Sequence, residues 1–495
     1  MMKLRTLLNS LLFMVVAAHA QPPNVIFLAV DDMNDWAGVL DSNVQAVTPN
    51  IDRLASAGVN FINAHTAGTY CAPSRAAIFT GQYASTTGIY QYQVYHALYP
   101  ELVPLQSSFH EAGYETYGAG KLYHHMDGYI DQRGWTEFFL RTQRQRESGW
   151  PLDSWSEEMP FPEQGVQTES NRGGYTRKGI RKWGVLPNEK EGEMADTIRT
   201  DWMVSKLQEK HDKPFFLALG IYAPHIPNYC PQKYYDLYDR NTLSLPARND
   251  DDLEDLPEPK RTQMKNRQQA FKRNYHDSGL FKEAIHSYLA CISYADAQIG
   301  RVLDALEASP YAENTIVVLW SDNGYHYGEK GHFGKKELWQ RTSNIPFVWA
   351  GPGIAKGQKL DVSVSLIDMY PTFVEMCSLP QPQQKLEGIS LAATLKNPAE
   401  AKDREVYLPH TEPKGYAIIN REWRYINYAD DTEELYSVQN DPNEWENLAE
   451  NPEYEGIKKA LRSNAPKTFA RPAKNTTTKK NLVVEGESYH WDLSK

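Results

Sequence analysis

The sequence predicts an α/β fold: a large mixed, mostly parallel β-sheet sandwiched by helices, with a smaller C-terminal domain built on a short antiparallel sheet. Three observations lead there. Near-continuous apolar runs, NVIFLAV at 24–30 and TIVVLW at 315–320, read as strands buried on both faces. They alternate with segments of helical spacing, the pattern of parallel strands joined by helical crossovers. After about residue 400 the runs shorten and turn signals separate them, which suits antiparallel strands.

Taken in order, residues 1–20 read as a signal peptide. Lys3 and Arg5 give a positive start, 11–18 a short apolar stretch, and Ala18-His19-Ala20 a small-x-small cleavage site. The expected mature chain is exported, to a periplasm or outside the cell. No later apolar run is long enough to span a bilayer, so no stable membrane insertion is expected. Residues 21–398 are the expected N-terminal domain and 399–495 the C-terminal one. In the first, residues 50–58 (NIDRLASAG) read as a helix capped by Asn50 and ended near Gly58. A short helix through 108–113 leads to a strand at 114–118, and FFLALG at 215–220 is a further strand. Leu289, Ile292, Ile299, Val302 and Leu306 mark a helix over 288–307, and 345–350 is one more strand. The polar stretches 141–191 and 240–276 are long for plain connections and read as functional or mobile loops. In the second domain, strands are expected at 405–408, 416–420, 423–427 and 434–437, with 464–480 a basic surface excursion. No internal repeats are present.

Composition narrows the function. The 495 residues, 41% of them hydrophobic, can bury a substantial core and exceed one compact domain. A net charge of −11 argues against nucleic-acid binding, which needs clustered Lys and Arg to neutralise phosphates. The four cysteines, Cys71, Cys230, Cys291 and Cys377, have no zinc-ligand spacing. In an oxidising compartment they could form one or two disulfides.

Ligands of open α/β sheets bind beyond the carboxyl ends of the strands. Asp31 and Asp32 follow the first strand, Ser321, Asp322 and Asn323 follow TIVVLW, Pro224 and His225 follow FFLALGIYA, and Lys121 and His124 follow the strand at 114–118. Asp31, Asp32, Asp322 and Asn323 form a hard-oxygen set. Crowded carboxylates repel unless a cation sits among them, and oxygen ligands point to Ca²⁺ or Mg²⁺, between which composition does not choose. Cys71-Ala72-Pro73-Ser74-Arg75 through Gly81 reads as a helix, with Pro73 in its first turn and Gly81 past its end. Cys71 would sit at the helix N-terminus with Arg75 one turn on, so that a nucleophile and a cation face one anion site. The plain alternative is a buried or disulfide-bonded cysteine.

At this point the chain resembles a family. Cys71-x-Pro73-Ser74-Arg75, followed by Thr80-Gly81, is similar to the signature of type I, formylglycine-dependent sulfatases of the alkaline-phosphatase superfamily, and most closely to the iduronate-2-sulfatase-like branch. The segments Gly120–His124, Pro224–Pro227, Ser321–Gly324, Gly328 to Lys335 and Leu338-Trp339 carry the likeness along most of the mature chain, and Glu434-Leu435-Tyr436 and Asp441–Glu444 extend it into the C-terminal sheet. The resemblance implies that a separate maturation enzyme converts Cys71 to formylglycine (3-oxoalanine). It implies one Ca²⁺ held by Asp31, Asp32, residue 71, Asp322 and Asn323. It implies that Arg75, Lys121 and Lys335 neutralise the sulfate and the hydrated aldehyde, that His225 protonates the leaving group, and that His124 takes a proton from the second diol hydroxyl. A one-residue slip would exchange His124 for His125 and Lys335 for Lys336; the spacing from Lys121 favours His124, and the distance before Leu338-Trp339 favours Lys335. His326 and His332 could line the pocket or be surface loop histidines, and Glu329 reads as structural.

The expected substrate is a sulfated carbohydrate: an algal polysaccharide such as carrageenan or ulvan, or a glycosaminoglycan. Trp150, Trp155 and Trp183 share the first polar stretch with Arg141, Arg144, Arg146, Arg172, Arg177 and Arg181, a composition able to grip a polyanion. The alternatives are a phosphoester or phosphonate hydrolase of the same superfamily and a non-catalytic polysaccharide-binding relative.

Overall fold

The structure is a computed structural model that describes residues 22–40, 46–124, 128–139, 183–475, 479–485 and 488–494. The expected signal peptide, His125, and the first polar stretch up to residue 182, with Trp150, Trp155 and its arginines, lie outside the described residues. Among the described residues no helix is long and apolar enough to cross a membrane.

Eight strands form the main sheet: β1 (Asn24–Asp31), β2 (Gly58–Phe61), β3 (Glu115–Gly120), β4 (Glu137–Phe138), β5 (Phe215–Pro224), β6 (Thr315–Ser321), β7 (Phe347–Ala350) and β8 (Gln358–Leu360). Their spatial order is β8-β2-β7-β6-β1-β5-β3-β4. β7 runs antiparallel to both its neighbours, and every other pairing is parallel. This is the mixed, mostly parallel sheet the apolar runs predict.

Those runs are continuous because the sheet is buried on both faces. Successive side chains of a strand point to opposite sides. Val25, Phe27 and Ala29 of β1 enter one core, and Ile26, Leu28 and Val30 the other. Helices cover both. α1 (Pro49–Ser56), α3 (Ala195–Gln208) and α5 (Phe281–Glu307) bring Ile51, Met203, Leu207, Ile285, Leu289 and Ile299 to the Ile26 side, and α2 (Cys71–Thr80) brings Ala77, Ile78 and Phe79 to the other.

Several local expectations need correction. The N-cap position of α1 is Thr48, not Asn50; Asn50 lies inside the helix and its amide donates to Asp296 Oδ2 at 2.8 Å. Gly58 does not end the helix but opens β2, where a Cβ would lie 2.0 Å from the Trp349 carbonyl oxygen on β7. The stretch 240–276 is not simply a loop: it holds α4 (Glu258–Phe271). Only Lys260, Met264 and Phe271 of that helix are buried, so its sequence has no apolar stripe to announce it. The four cysteines are buried free thiols, with no disulfide among them.

The C-terminal sheet has the order β9 (Val406–Pro409), β10 (Tyr416–Ile419), β11 (Trp423–Asn427), β12 (Glu433–Ser437), all antiparallel. The stretch 464–480 is more than an excursion. The Ala470 and Ala473 N–H groups donate to the carbonyls of Ser85 and Gly88, at 2.7 and 2.9 Å, and Phe469 stacks on Tyr416. Residues 469–473 thereby strap the C-terminal sheet to the main domain.

Gly58→Ala should destabilise the chain by about 3 kcal/mol, because the β2–β7 backbones must part to admit a methyl group. The check is a lower urea-unfolding midpoint than wild type; an unchanged midpoint would show that the sheet edge yields freely.

Candidate active site

Four adjacent strands deliver the polar residues to one end of the sheet. β1 and β6 run in parallel register with Val30 opposite Ser321, so Asp31-Asp32 and Asp322-Asn323 leave the same edge side by side. β5 flanks β1, with Pro224 opposite Asp31, and His225 follows. β3 pairs with β5 and ends at Gly120, directly before Lys121. Backbones close tightly here: the Lys121 N–H donates to the Gly220 carbonyl at 2.8 Å, and a Cβ on Gly220 would meet the Lys121 backbone at 2.1 Å. α2 begins at this same end. Its C-cap Gly81 is left-handed, at φ 70°, and every residue of the helix is buried.

Cys71 is 1% exposed and sits at the centre of the cluster. Its Sγ is 2.8 Å from Lys335 Nζ, 3.8 Å from Lys121 Nζ and 3.8 Å from Asp32 Oδ1. Arg75 Nε donates to Asp322 Oδ2 at 2.7 Å, and its Nη2 lies 3.3 Å from Asp31 Oδ1. Lys121 pairs with Asp31, and Lys335 with Asp32. His225 Nδ1 faces the Ile226 carbonyl at 2.6 Å, which leaves Nε2 3.5 Å from Asp32 Oδ2. The three carboxylates thus meet the three cations that the sequence reading assigned to the sulfate and the hydrated aldehyde; it did not anticipate their pairing with the carboxylates.

The charges shape one another. Burial opposes the charge on Lys335, but Asp32, Cys71, Asp31 and Asp322 overcome it and hold its pKa well above the usual range. Burial raises the Asp322 carboxyl, and Arg75 works against that rise. Burial raises the Cys71 thiol well above normal, and Asp31 and Asp322 add to the rise.

A hard cation fits this donor set. Atoms of Asp31, Asp32, Cys71 and Asp322 all lie within 4.8 Å of one another. Opposed oxygen ligands of one calcium ion are about 4.6–5.2 Å apart. Asn323 Oδ1 is buried beside them with no hydrogen-bond partner, while its Nδ2 donates to Asp32 Oδ1 at 2.7 Å. Such an oxygen is costly to bury unless it ligates something.

Several supporting residues carry no motif and escape a sequence reading. Asp32 has φ 61°, a left-handed conformation that costs a non-glycine residue about 1–3 kcal/mol. It is pinned by Tyr288, whose hydroxyl donates to the Asp32 carbonyl at 2.6 Å and accepts from the Asn34 N–H at 3.0 Å. Asp196 accepts from the Tyr222 and Ala223 N–H groups, each at 2.9 Å, and so sets the strand end that carries His225. Lys260 and Arg267 of α4 both pair with buried Glu337, two residues beyond Lys335. Only Tyr288, at helical spacing in an apolar face, lay in a recognisable pattern.

The remaining candidates separate. Lys335, not Lys336, reaches Cys71; the Lys336 ammonium instead lies 4.4 Å from the centre of the Tyr70 ring. His124 is buried, with its ring 5.3 Å from Tyr92 and 5.1 Å from Tyr129. His326 and His332 are stacked and buried, not surface histidines. Glu329 is structural: it accepts from the Tyr327 N–H at 2.8 Å and pairs with Arg341 at 2.9 Å.

Residues 23–378 match the family model for sulfatases, and residues 328–469 match the C-terminal model of N-sulphoglucosamine sulphohydrolase. The chain is 37% identical to a sulfatase of Formosa agariphila over 92% of its own length and 88% of that protein's. The chain belongs to the sulfatase family, within the alkaline-phosphatase superfamily. It is a sulfatase, a sulfuric ester hydrolase. Two solved structures share its fold. A protein solved with its substrate D-glucosamine-2-N,6-O-disulfate has a TM-score of 0.66 at 21% identity, covering 90% of this chain and 96% of that one. A phosphonate monoester hydrolase of Agrobacterium radiobacter has a TM-score of 0.71 at 18% identity, covering 95% and 99%.

Tyr288→Phe in this sulfatase removes a donor and an acceptor beneath a strained residue. It should destabilise the fold by about 1–3 kcal/mol. A thermal midpoint equal to wild type would mean that Asp32 holds its conformation without the hydroxyl.

Proposed function

We propose that this sulfatase removes sulfate from a sulfated carbohydrate, a polysaccharide or its oligosaccharides of the carrageenan, ulvan or glycosaminoglycan kind. Residue 71 serves as formylglycine, made from the thiol by a separate maturation enzyme. The observation that carries the reading is the convergence on Cys71 Sγ of Lys335, Lys121 and three carboxylates, two of which pair with Arg75; the sulfur stands where a hydroxyl of the hydrated aldehyde would act. The 21–398 domain supplies this chemistry, and residues 399–495 form the C-terminal subdomain. Export to a periplasm or the cell exterior by residues 1–20 belongs to the same proposal. The sugar substrate draws support from the disulfated glucosamine bound by the solved structure of like fold.

Asp31, Asp32, Asp322, Asn323 and residue 71 would hold Ca²⁺. Bound there, the ion supplies Lewis acidity, lowering the pKa of an adjacent hydroxyl and polarising a sulfate oxygen. The rest falls to the chain. Lys335 and Lys121, at 2.8 and 3.8 Å from Sγ, favour the anionic form of the nucleophile at residue 71 and screen it from an anionic ester. Arg75 orients Asp322 and Asp31, so that the carboxylates face inward in a fixed geometry. His225 protonates the departing sugar oxygen, a poor leaving group without that proton. His124 takes the proton from the second hydroxyl, which lets sulfate leave and the aldehyde return without water attacking an ester.

Three measurements test this. In the native host, the peptide containing residue 71 should carry the mass change of replacing the thiol and one hydrogen by a carbonyl oxygen; a wholly unmodified cysteine would leave the binding-protein alternative standing. Chelation of calcium should remove activity and lower the thermal midpoint, with both restored by added Ca²⁺. His225→Ala should slow hydrolysis of sugar sulfates by about 10²–10⁴-fold and of 4-nitrophenyl sulfate much less, because nitrophenolate leaves without a proton. Equal losses on both substrates would remove the acid role. Greater turnover of aryl phosphates or phosphonates than of sulfates would favour the superfamily alternative.

A further inference from the structure

Lys335 and Lys336 are consecutive, yet they face different chemistry. Lys335 is turned in to residue 71. Lys336 is turned outward over two rings, its ammonium 4.4 Å from the centre of Tyr70 and 5.1 Å from that of Tyr92, with the Tyr92 hydroxyl 3.5 Å away. The outward turn is built in. Lys336 has φ 75°, its N–H donates to the Thr69 carbonyl at 2.9 Å, and its own carbonyl faces His410 Nε2 at 3.0 Å. Lys330 and Lys335 of the same segment have Asp252 and Asp32 as partners. Among the described residues Lys336 pairs with no carboxylate. Glu412, on the neighbouring C-terminal loop, is directed at His410, 3.7 Å from its Nδ1.

The floor and wall are aromatic. Tyr70 directly precedes Cys71, packs edge to face with Tyr92 at 5.4 Å, and donates to Gln91 Oε1 at 3.0 Å. Gln91 in turn donates to the Thr411 carbonyl at 2.7 Å, which fixes the C-terminal loop against this rim. Tyr92 is 37% exposed, high for a large apolar residue in this molecule, and its ring also lies against His124. An exposed aromatic face beside a cation with no carboxylate partner, next to Tyr70 and Lys335, the neighbours of residue 71, matches a sugar ring that bears an anionic substituent.

We propose that Lys336, with Tyr92, forms a subsite for a second anionic group, a further sulfate or a carboxylate, on the sugar whose sulfate ester is cleaved. This selects multiply charged sugars over singly sulfated ones. It rests on the carbohydrate reading given above.

The test compares mono-sulfated disaccharides of carrageenan, ulvan and glycosaminoglycan type with counterparts that carry one more sulfate or a carboxylate, using matured, calcium-loaded enzyme and 4-nitrophenyl sulfate as a reference. Wild type should favour the more highly charged member of a pair by kcat/KM. Lys336→Met should cut that preference about tenfold, the size expected for one lost hydrogen bond between charged groups. Lys336→Arg should keep it. Both replacements retain a Cβ, so neither relieves the positive φ, and Lys336→Gln carries the test if the methionine variant does not fold. A wild-type enzyme indifferent to the second charge, or a methionine variant that keeps the preference, overturns the subsite. Turnover of 4-nitrophenyl sulfate but of no sugar sulfate overturns instead the carbohydrate reading beneath it.

Discussion

The site depends on one electrostatic constraint: three carboxylates are held almost wholly out of water within a few ångströms of one another. Asp31, Asp32 and Asp322 are each no more than 1% exposed. Buried like charges at such range are untenable without compensation. Arg75, Lys121 and Lys335 supply it, each paired with one or two of the carboxylates. The arrangement is neutral in its six formal charges, so a divalent cation and an anionic ester arriving together would change the net charge little. That balance reconciles an acidic chain with an anionic substrate.

The compensation demands rigid placement, and much of the molecule serves it. Neighbouring parallel strands bring Asp31 and Asp322 to one edge without a long loop between them. Glycines at 120 and 220 allow the β3 and β5 backbones to close at Lys121. Tyr288 reaches from the long helix to hold Asp32 in a backbone conformation it would not choose alone. The polar helix α4 grips Glu337 through Lys260 and Arg267 and thereby fixes the segment that carries Lys335. The C-terminal sheet anchors the next residues: Arg424 donates to the Leu338 carbonyl at 2.8 Å, and the Trp339 indole donates to Glu434 at 2.7 Å. The smaller sheet therefore helps to hold the segment that follows Lys335.

The chain shares its fold with a phosphonate monoester hydrolase. On the proposed function, a carboxylate set holding a metal ion beside a cation-shielded nucleophile would suit any tetrahedral anion, whether its centre is sulfur or phosphorus. Discrimination must come from the groups around that centre and around the rest of the substrate. In the proposed subsite Lys336 and Tyr92 are groups of that kind.

Much of this was legible in the sequence. The two-sided strands announced themselves as unbroken apolar runs, because a sheet covered on both faces has no polar side to alternate. The residues following those runs could be named as candidates, since parallel strands put their carboxyl ends together, and the Cys71 signature stood in contiguous sequence. Contiguous sequence also placed the four C-terminal strands. It did not show α4, whose buried face contains a lysine paired with Glu337 far along the chain. Nor did it show the roles of Tyr288 and Asp196 or the three cation–carboxylate pairings, although the distance before Leu338-Trp339 already favoured Lys335 over Lys336. The sequence alone determined which strands form and which reactive groups end them, because both follow from local periodicity and composition. Only the tertiary structure decided where Lys336 turns, which tyrosine holds the strained aspartate and how the buried charges balance, because these are contacts between residues distant in the chain that no local pattern encodes.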